Sequence, residues 1–340
     1  MLKKVKVDRA TGMVLGHDVT KIVPGEFKGP AFRRGHVISE ADIPELLNIG
    51  KEHVYVMELG EDEVHEEEAA RRIARAIGGT GIETSEPREG RVNLKAKIIG
   101  LLRIDRRLLK KINSDGEVIV VTRHNNTVCY DGMMVAATKI IPLFTGETRV
   151  RKVEQICQDG GKVVEVLPFI KKEVGVVITG NEVFKGRIED KFGAVMGKKI
   201  GALGSVIIDQ TIVPDDAGVI ARAINGMRDK GSTAIVVCGG LSIDPDDVTA
   251  EGVKKSGAKI ISYGAPVMPG AMFLFAMLGD IPVLGAPACV IYNQATIFDL
   301  ILPRVLAGER IRRQDIADLG HGGLCLNCEK CSFPVCPFGK

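Results

Sequence analysis

The pattern of apolar and polar positions changes character about halfway along the chain. From residue 171, continuous apolar runs alternate with segments of helical periodicity. EVGVVITG is the first such run, and the spacing of Phe192, Val195, Met196, Ile200 and Leu203 predicts a helix after it. SVIIDQTIV predicts the next strand; Pro214, Asp215 and Asp216 stop it and cap a helix whose buried stripe is Ala217, Ile220, Ala221, Ile224 and Met227. TAIVVCGG predicts a third strand and VTAEGVKKSG a helix, while AKIISYGAP, DIPVLGAP and ACVIYNQATIFDLILPRVLAG complete the unit. Strands that are apolar throughout, separated by amphipathic helices, imply an α/β fold: a mostly parallel sheet flanked by helices on both faces.

The first half of the chain reads differently. MVLGHDV, a loop IVPGEFKGPAFRRG, a helix SEADIPELLNIG and a strand HVYVMEL predict a small α+β module over residues 1–60. Val64, Ala69, Ile73, Ala74 and Ile77 form one helical stripe inside a strongly charged segment. VNLKAKI, EVIVVTRH and MMVAATKIIPLF then predict strands around a short helix at residues 106–111, giving a helix plus a β-rich module over 61–170. The expected division is therefore 1–60, 61–170, an α/β domain over 171–312 and a cysteine-rich tail over 313–340.

Composition narrows the function. A chain of 340 residues with 45% apolar positions has material for more than one core. A net charge of +3, 4% aromatic residues and no tryptophan give no basic, aromatic-studded face for nucleic acid. No apolar run is long enough to cross a bilayer, and no apolar signal core follows the lysines of MLKKVKVDRATG, so a cytoplasmic protein without a membrane partner is expected.

In an open α/β sheet the ligand crevice lies beyond the carboxyl ends of the strands. The loops to consider are therefore Thr179-Gly180-Asn181-Glu182, running on to Asp190; Gly239-Gly240-Leu241-Ser242, running on to Asp247 and Thr249; and Gly285-Ala286-Pro287-Ala288. The two glycines and the serine would expose backbone N–H groups at a helix N-terminus, which suits an anion. Glu182, Asp190 and Asp247 would repel a phosphate unless a cation intervened, and Mg²⁺ is the usual mediator. Each acid alone reads as a helix cap or a solvated side chain; three on successive loops read as a site.

ITGNEVFKGRIEDKFG, IVPDD and VVCGGLSIDPDDVTAEGV resemble, in order and spacing, motifs of the molybdenum-cofactor biosynthesis domain, which molybdopterin adenylyltransferase and molybdopterin molybdenumtransferase share. The resemblance covers residues 171–308, and looser likenesses in MVLGHDV and PAFRRGHVISEADIPELLNIGKEHVYV favour the molybdenumtransferase branch. It implies a molybdopterin or molybdenum-cofactor ligand, with Thr179, Gly180, Gly239, Gly240, Leu241, Ser242, Pro269 and Gly270 as binding residues and Glu182, Asp190 and Asp247 as Mg²⁺ and catalytic residues. It further implies a role in cofactor biosynthesis, maturation or delivery, up to Mg²⁺-dependent molybdenum insertion into adenylated molybdopterin. A molybdoenzyme or another cofactor-biosynthesis protein is the implied partner, and a homo-oligomer the default state. Non-catalytic cofactor binding is the alternative, and so is nucleotide pyrophosphatase activity, because the same domain type occurs in competence-damage proteins that cleave ADP-ribose. Two departures stand out: the lysine of the family's PGKP is Ala271 here, and GLPGNP becomes Gly285-Ala286-Pro287-Ala288-Cys289. The missing lysine removes a charge suited to a tetrahedral oxyanion and leaves backbone recognition of the pterin phosphate intact.

The tail carries an independent signal. Cys325, Cys328, Cys331 and Cys336 crowd into GHGGLCLNCEKCSFPVCPFGK, whereas Cys129, Cys157, Cys238 and Cys289 are scattered. In a reducing compartment the cluster reads as metal ligands. The spacing approaches a bacterial ferredoxin run and also suits a tetrahedral zinc site, where His321 could replace one thiol.

Overall fold

The computed structural model describes residues 2–23, 26–57 and 62–340. The chain divides into two compact units. The first holds residues 1–97, 104–123 and 132–165; the second holds 98–103, 124–131 and 166–340.

The first unit contains two packed regions. Around residues 7–56, strand Leu2–Lys6 pairs antiparallel with His53–Met57, and Val7, Leu15, Leu46, Val54 and Val56 form a small core. The segment expected to be a loop is a hairpin of Val19–Val23 with Phe27–Phe32, whose Pro24 and Gly25 lie outside the described residues, as do Glu58 to Glu61, where the strand HVYVMEL and the 60/61 boundary were expected to end. The second region has a four-stranded antiparallel sheet of Ile82–Thr84, Arg91–Ala96, Met134–Ile140 and Val118–Thr122. Helix Glu66–Ile77 buries Ala69, Ile73, Ala74 and Ile77 completely, as the stripe predicts, whereas Val64, expected on the same stripe, lies half-buried in the strand Glu63–His65 before it. Helix Glu147–Gly160, not expected from the sequence, buries Val150, Val153, Ile156 and Cys157 along one face; Arg72 fixes it with paired bonds to Glu147 and Glu154 at 2.7 and 2.8 Å.

The second unit is built on a six-stranded sheet. Its elements are β1 (Glu173–Thr179), α1 (Asn181–Phe184), α2 (Phe192–Gly201), β2 (Val206–Val213), α3 (Ala217–Asp229), β3 (Ala234–Cys238), α4 (Thr249–Lys255), β4 (Lys259–Tyr263), β5 (Leu274–Leu278), β6 (Ile281–Ala286), α5 (Ile297–Leu306) and α6 (Arg313–Ala317). The order across the sheet is β2-β1-β3-β6-β5-β4. β2, β1, β3 and β6 run parallel, whereas β5 pairs antiparallel with both β6 and β4.

Successive residues of a strand point to opposite faces, so a strand covered on both sides must be apolar at every position. β1 shows this directly. Val174, Val176 and Ile178 join one core with Phe192, Met196 and Ile200 of α2 and Ile297, Phe298 and Ile301 of α5. Val177 joins the other, with Ile220, Ile224 and Met227 of α3 and Val253 of α4. β2 lies at the sheet edge and is half exposed, which explains its more polar sequence. β5 was not anticipated as a separate strand. Its run FLFAML is apolar on both faces, and the two-residue turn Gly279-Asp280, with Gly279 at φ +60°, folds it back onto β6.

Candidate functional site

The register of the parallel strands brings their carboxyl ends to one level. Thr179 lies opposite Val213, Ile178 opposite Cys238, and Cys238 opposite Ala286. The loops that leave β1, β2, β3 and β6 therefore open on the same edge of the sheet, where α/β folds bind ligands.

Thr179 is buried and acts as a latch. Its Oγ1 donates to the Cys238 carbonyl at 3.3 Å and shares a hydrogen bond with Thr249 Oγ1 at 3.1 Å; Thr249 is itself fully buried at the start of α4. The Gly239-Gly240 turn packs on this pair. Gly239 has φ +90° and Gly240 φ +58°, and a Cβ on either would overlap Thr179 or Thr249. Only glycine meets both demands, a left-handed backbone and contact with two hydroxyls. Leu241 is 3% exposed and anchors the loop in the core; Tyr263 at the end of β4 donates its hydroxyl to the Leu241 carbonyl at 2.9 Å and to that of Ser242 at 3.3 Å. Burial and the charge of Asp247 push the Tyr263 phenol above its ordinary value, so it stays a donor. Beyond this anchor, residues 242–246 are exposed. The sequence predicted the glycines; it assigned no role to Thr249 or Tyr263, whose part depends on a chain return that no local pattern reveals.

The acids divide into two groups. Asp190 accepts from the amides of Phe192 and Gly193 at 2.7 and 3.1 Å and from Gln210 Nε2 at 3.2 Å, so it opens α2 as a cap. Asp215, which the sequence reading treated only as part of a stop and cap, is the centre of the other group. Its neighbour Asp216 does the capping, accepting from Val219 N at 2.7 Å, while Asp215 accepts from Asn181 N at 2.7 Å. Burial pushes the Asp215 carboxyl above its ordinary value, the Asn181 N–H opposes this, and the charges of Glu182, Asp247 and Asp246 push it further up. Glu182 and Asp247 thus share an electrostatic neighbourhood with Asp215. Gly180, at φ +146°, lets β1 turn sharply into α1, and a Cβ there would lie 2.9 Å from Glu182 Oε1.

Pro269 and Gly270 lie on the β4–β5 connection and pack against the start of α5. Gly270 has φ +125°, a Cβ there would come within 2.6 Å of Ile297 Cγ2, and the Pro269 carbonyl accepts from Ile297 N at 3.4 Å.

The comparisons with known proteins bear on this geometry. Residues 175–307 match a family model described as a probable molybdopterin binding domain. Residues 175–307 form such a domain. Residues 4–58 match a separate model described only as a domain of unknown function. Among curated proteins, one from Archaeoglobus fulgidus is 33% identical over 81 residues, covering 24% of this chain and 35% of that protein. A CinA-like protein of Mycobacterium tuberculosis is 34% identical over 86 residues, 25% of this chain and 20% of that protein. The chain thus spans about a third or less of the length of these relatives. Solved structures similar to it include the molybdopterin biosynthesis enzyme MoaB from Thermus thermophilus, at 16% identity and a TM-score of 0.34 over 41% of this chain and 98% of that one. The CinA protein from Thermoplasma acidophilum matches at 23% identity and a TM-score of 0.32 over 34% and 88%. At such scores the structural likenesses carry no argument about function.

The second unit continues into the tail. Cys325, Cys328, Cys331 and Cys336 all line one cavity of about 300 Å³, together with Tyr292, Asn293, Gln294 and Ala295 from the connection after β6. Among the described residues, no three His, Cys, Asp or Glu side chains are gathered in a group able to hold a metal ion. A larger cavity of about 560 Å³ lies beside α2 and α5, with the half-buried Lys199–Asp299 ion pair at 2.6 Å in its wall. Among the described residues, no helix is long and apolar enough to cross a membrane.

Proposed function

We propose that the protein binds a phosphorylated pterin of the molybdopterin type at the strand-end loops and acts in maturation or delivery of the molybdenum cofactor. The observation that carries this reading is the Gly239-Gly240-Leu241-Ser242 turn within the matched segment. It is held rigid from below by Thr179, Thr249 and Tyr263 and presents its exposed side to ligand. Backbone N–H groups fixed in advance recognise phosphate without a lysine, which fits Ala271 in place of that residue. Pro269 and Gly270 would border the pterin, and Thr179 would serve by positioning the turn.

Glu182, Asp215 and Asp247 offer carboxylate oxygens, the ligand type Mg²⁺ takes alongside phosphate. Their mutual repulsion fits a site completed by a cation, which would supply charge neutralisation beside the phosphate. Asp190 has its oxygens engaged by α2 amides and has the weakest claim of the acids first considered. The tail thiols are proposed to hold zinc or an iron–sulfur cluster in the reducing cytoplasm. A homo-oligomer that passes its ligand to a molybdoenzyme or a cofactor-biosynthesis protein completes this reading.

Incubation with adenylated molybdopterin, Mg²⁺ and molybdate tests the chemistry. AMP release with formation of active cofactor identifies a transferase; tight binding without turnover identifies a carrier. The match to a CinA-like protein favours a second reading, nucleotide pyrophosphatase activity. Hydrolysis of ADP-ribose by a protein without affinity for pterin would replace the first reading with the second.

A further inference from the structure

A further cavity of the second unit, about 670 Å³ in volume, lies at the other edge of the sheet. Its wall takes Lys172 from just before β1, Lys259 from the first position of β4, Asp280 from the β5–β6 turn and Arg310 from the segment after α5. These are the amino ends of the strands. With five to seven residues per strand, each rising about 3.3 Å, the cavity stands about 20 Å along the strands from the edge that carries the Gly239-Gly240 turn.

Strand register builds an apolar floor there. Lys259 lies opposite Met277 and Met277 opposite Pro282, so the three form one row across β4, β5 and β6. Ile261 and Met277 are only half-buried, and both line the cavity together with the buried Val305 and Ile311. Apolar surface is therefore left open inside it.

The charges around this floor are unbalanced. Glu309 also lines the cavity, but its two oxygens are taken, by Arg103 Nη1 at 2.7 Å and by Arg304 Nε at 2.8 Å. Among the described residues, the side chains of Lys172, Lys259 and Arg310 have no hydrogen-bond or ion-pair partner, and Asp280 is the one lining acid left without one. Three cations from three chain segments thus face a single free carboxylate. Like charges around one cavity repel each other and attract a shared counter-charge.

The excess selects the ligand. A phosphate monoester carries about −1.5 to −2 charge at neutral pH and three strong acceptor oxygens, which matches three cations opposed by one acid; a lone carboxylate falls short in both respects. Arg310 supplies a planar fork for two oxygens, and the lysines supply point charges. An apolar group on the ester would rest on Ile261 and on Met277, whose flexible thioether adapts to a ring. The volume is in the range of small-molecule sites.

We propose that this cavity binds the phosphate monoester of an aromatic or heteroaromatic alcohol, its phosphate on Lys172, Lys259 and Arg310 and its ring on Ile261 and Met277. The site is separate from the strand-end loops and does not rest on the pterin reading.

The test titrates the full chain with naphthyl phosphate, and with naphthol and inorganic phosphate as its two halves. Saturable binding of the ester at one site per chain is expected, with each half weaker by about 10-fold or more. The K259E/R310E variant should bind the ester about 10-fold or more weakly, and K259Q/R310Q should fall between it and wild type. Both side chains are exposed and unpaired, so the urea midpoints should stay at the wild-type value. Amide exchange should slow on binding at residues 279–282 and 308–311. No saturable binding by the folded wild type overturns the site, as does unchanged affinity in both variants or slowing confined to residues 239–249. Inorganic phosphate bound as tightly as the ester means an adventitious ion only, and overturns it too. Each of these results leaves the pterin reading to its own titration.

Discussion

Gly240→Ala probes the turn on which the candidate site rests. The new Cβ would overlap Thr249 Oγ1 and lie 2.9 Å from Thr179 Oγ1, two buried hydroxyls that hydrogen-bond each other. The backbone would also be held at φ +58°, which costs an L-residue about 1–2 kcal/mol. Overpacking against a rigid neighbour adds about 1–3 kcal/mol, so a loss of roughly 3 kcal/mol is expected. Thr249→Ala removes the overlapped oxygen and the shared hydrogen bond, at a cost of about 1–2 kcal/mol. In the double variant the worst overlap is gone, and the backbone strain and the 2.9 Å approach to Thr179 Oγ1 remain. Its loss should therefore fall short of the sum of the single losses by about 1–2 kcal/mol. Urea unfolding of the four proteins, followed by a probe confined to the second unit, measures this coupling. Strict additivity, or a Gly240→Ala protein as stable as wild type, would refute the account of why glycine stands there.

Three further outcomes follow from the same structure. Tyr263→Phe removes the donor that holds the Leu241 and Ser242 carbonyls; a net loss of about 1 kcal/mol in stability is expected, with faster amide exchange in residues 241–247. Asp215 has a raised pKa, so the folded chain binds its proton more tightly than the unfolded chain, and the group costs stability increasingly as pH rises through its folded value. Asp215→Asn should raise the neutral-pH melting temperature in chelator and shrink the shift that Mg²⁺ produces in the wild type; an unchanged Mg²⁺ shift would remove Asp215 from the cation site. In the first unit, His65 is 4% exposed, accepts from Glu67 N through Nδ1, and has its pKa lowered by burial from 6.5 to about 4. The unfolded chain binds the extra proton between those values, so stability is full above about pH 6.5 and falls on acidification toward pH 4, by roughly 3 kcal/mol. His65→Asn, which keeps a capping acceptor, should flatten that slope in urea titrations.

The elements that were legible in the sequence are those whose burial is repeated along the chain. β1 from Val174 to Ile178 and the whole of β3 are apolar and buried because both faces are covered, and α3 shows its stripe because only one face is. β5 was hidden for the same reason that β1 was visible: FLFAML could be strand or buried helix, and only the Gly279-Asp280 turn distinguishes them. The hairpin Val19–Phe32 was hidden by the glycines and prolines that populate both loops and edge strands. At the site, Gly239 and Gly240 announce themselves, since a double glycine after a strand has few other uses. Asp215 does not. It and Asp216 look alike in PDD, yet one caps α3 and the other meets Asn181 from a different loop, a distinction made by the parallel pairing of β1 with β2. The tail's four thiols were plain in the sequence, but their fastening to Met268 depends on a return of more than fifty residues that no local signal encodes.

The most direct test of the central claim is an equilibrium titration of the full chain with adenylated molybdopterin in Mg²⁺, run beside Gly240→Ala and Tyr263→Phe under conditions where all three are folded. The account predicts saturable binding at one site per chain, weakened in both variants and weakened again when Mg²⁺ is removed. Absence of binding by the folded wild-type protein, or equal affinity in all three, would contradict it.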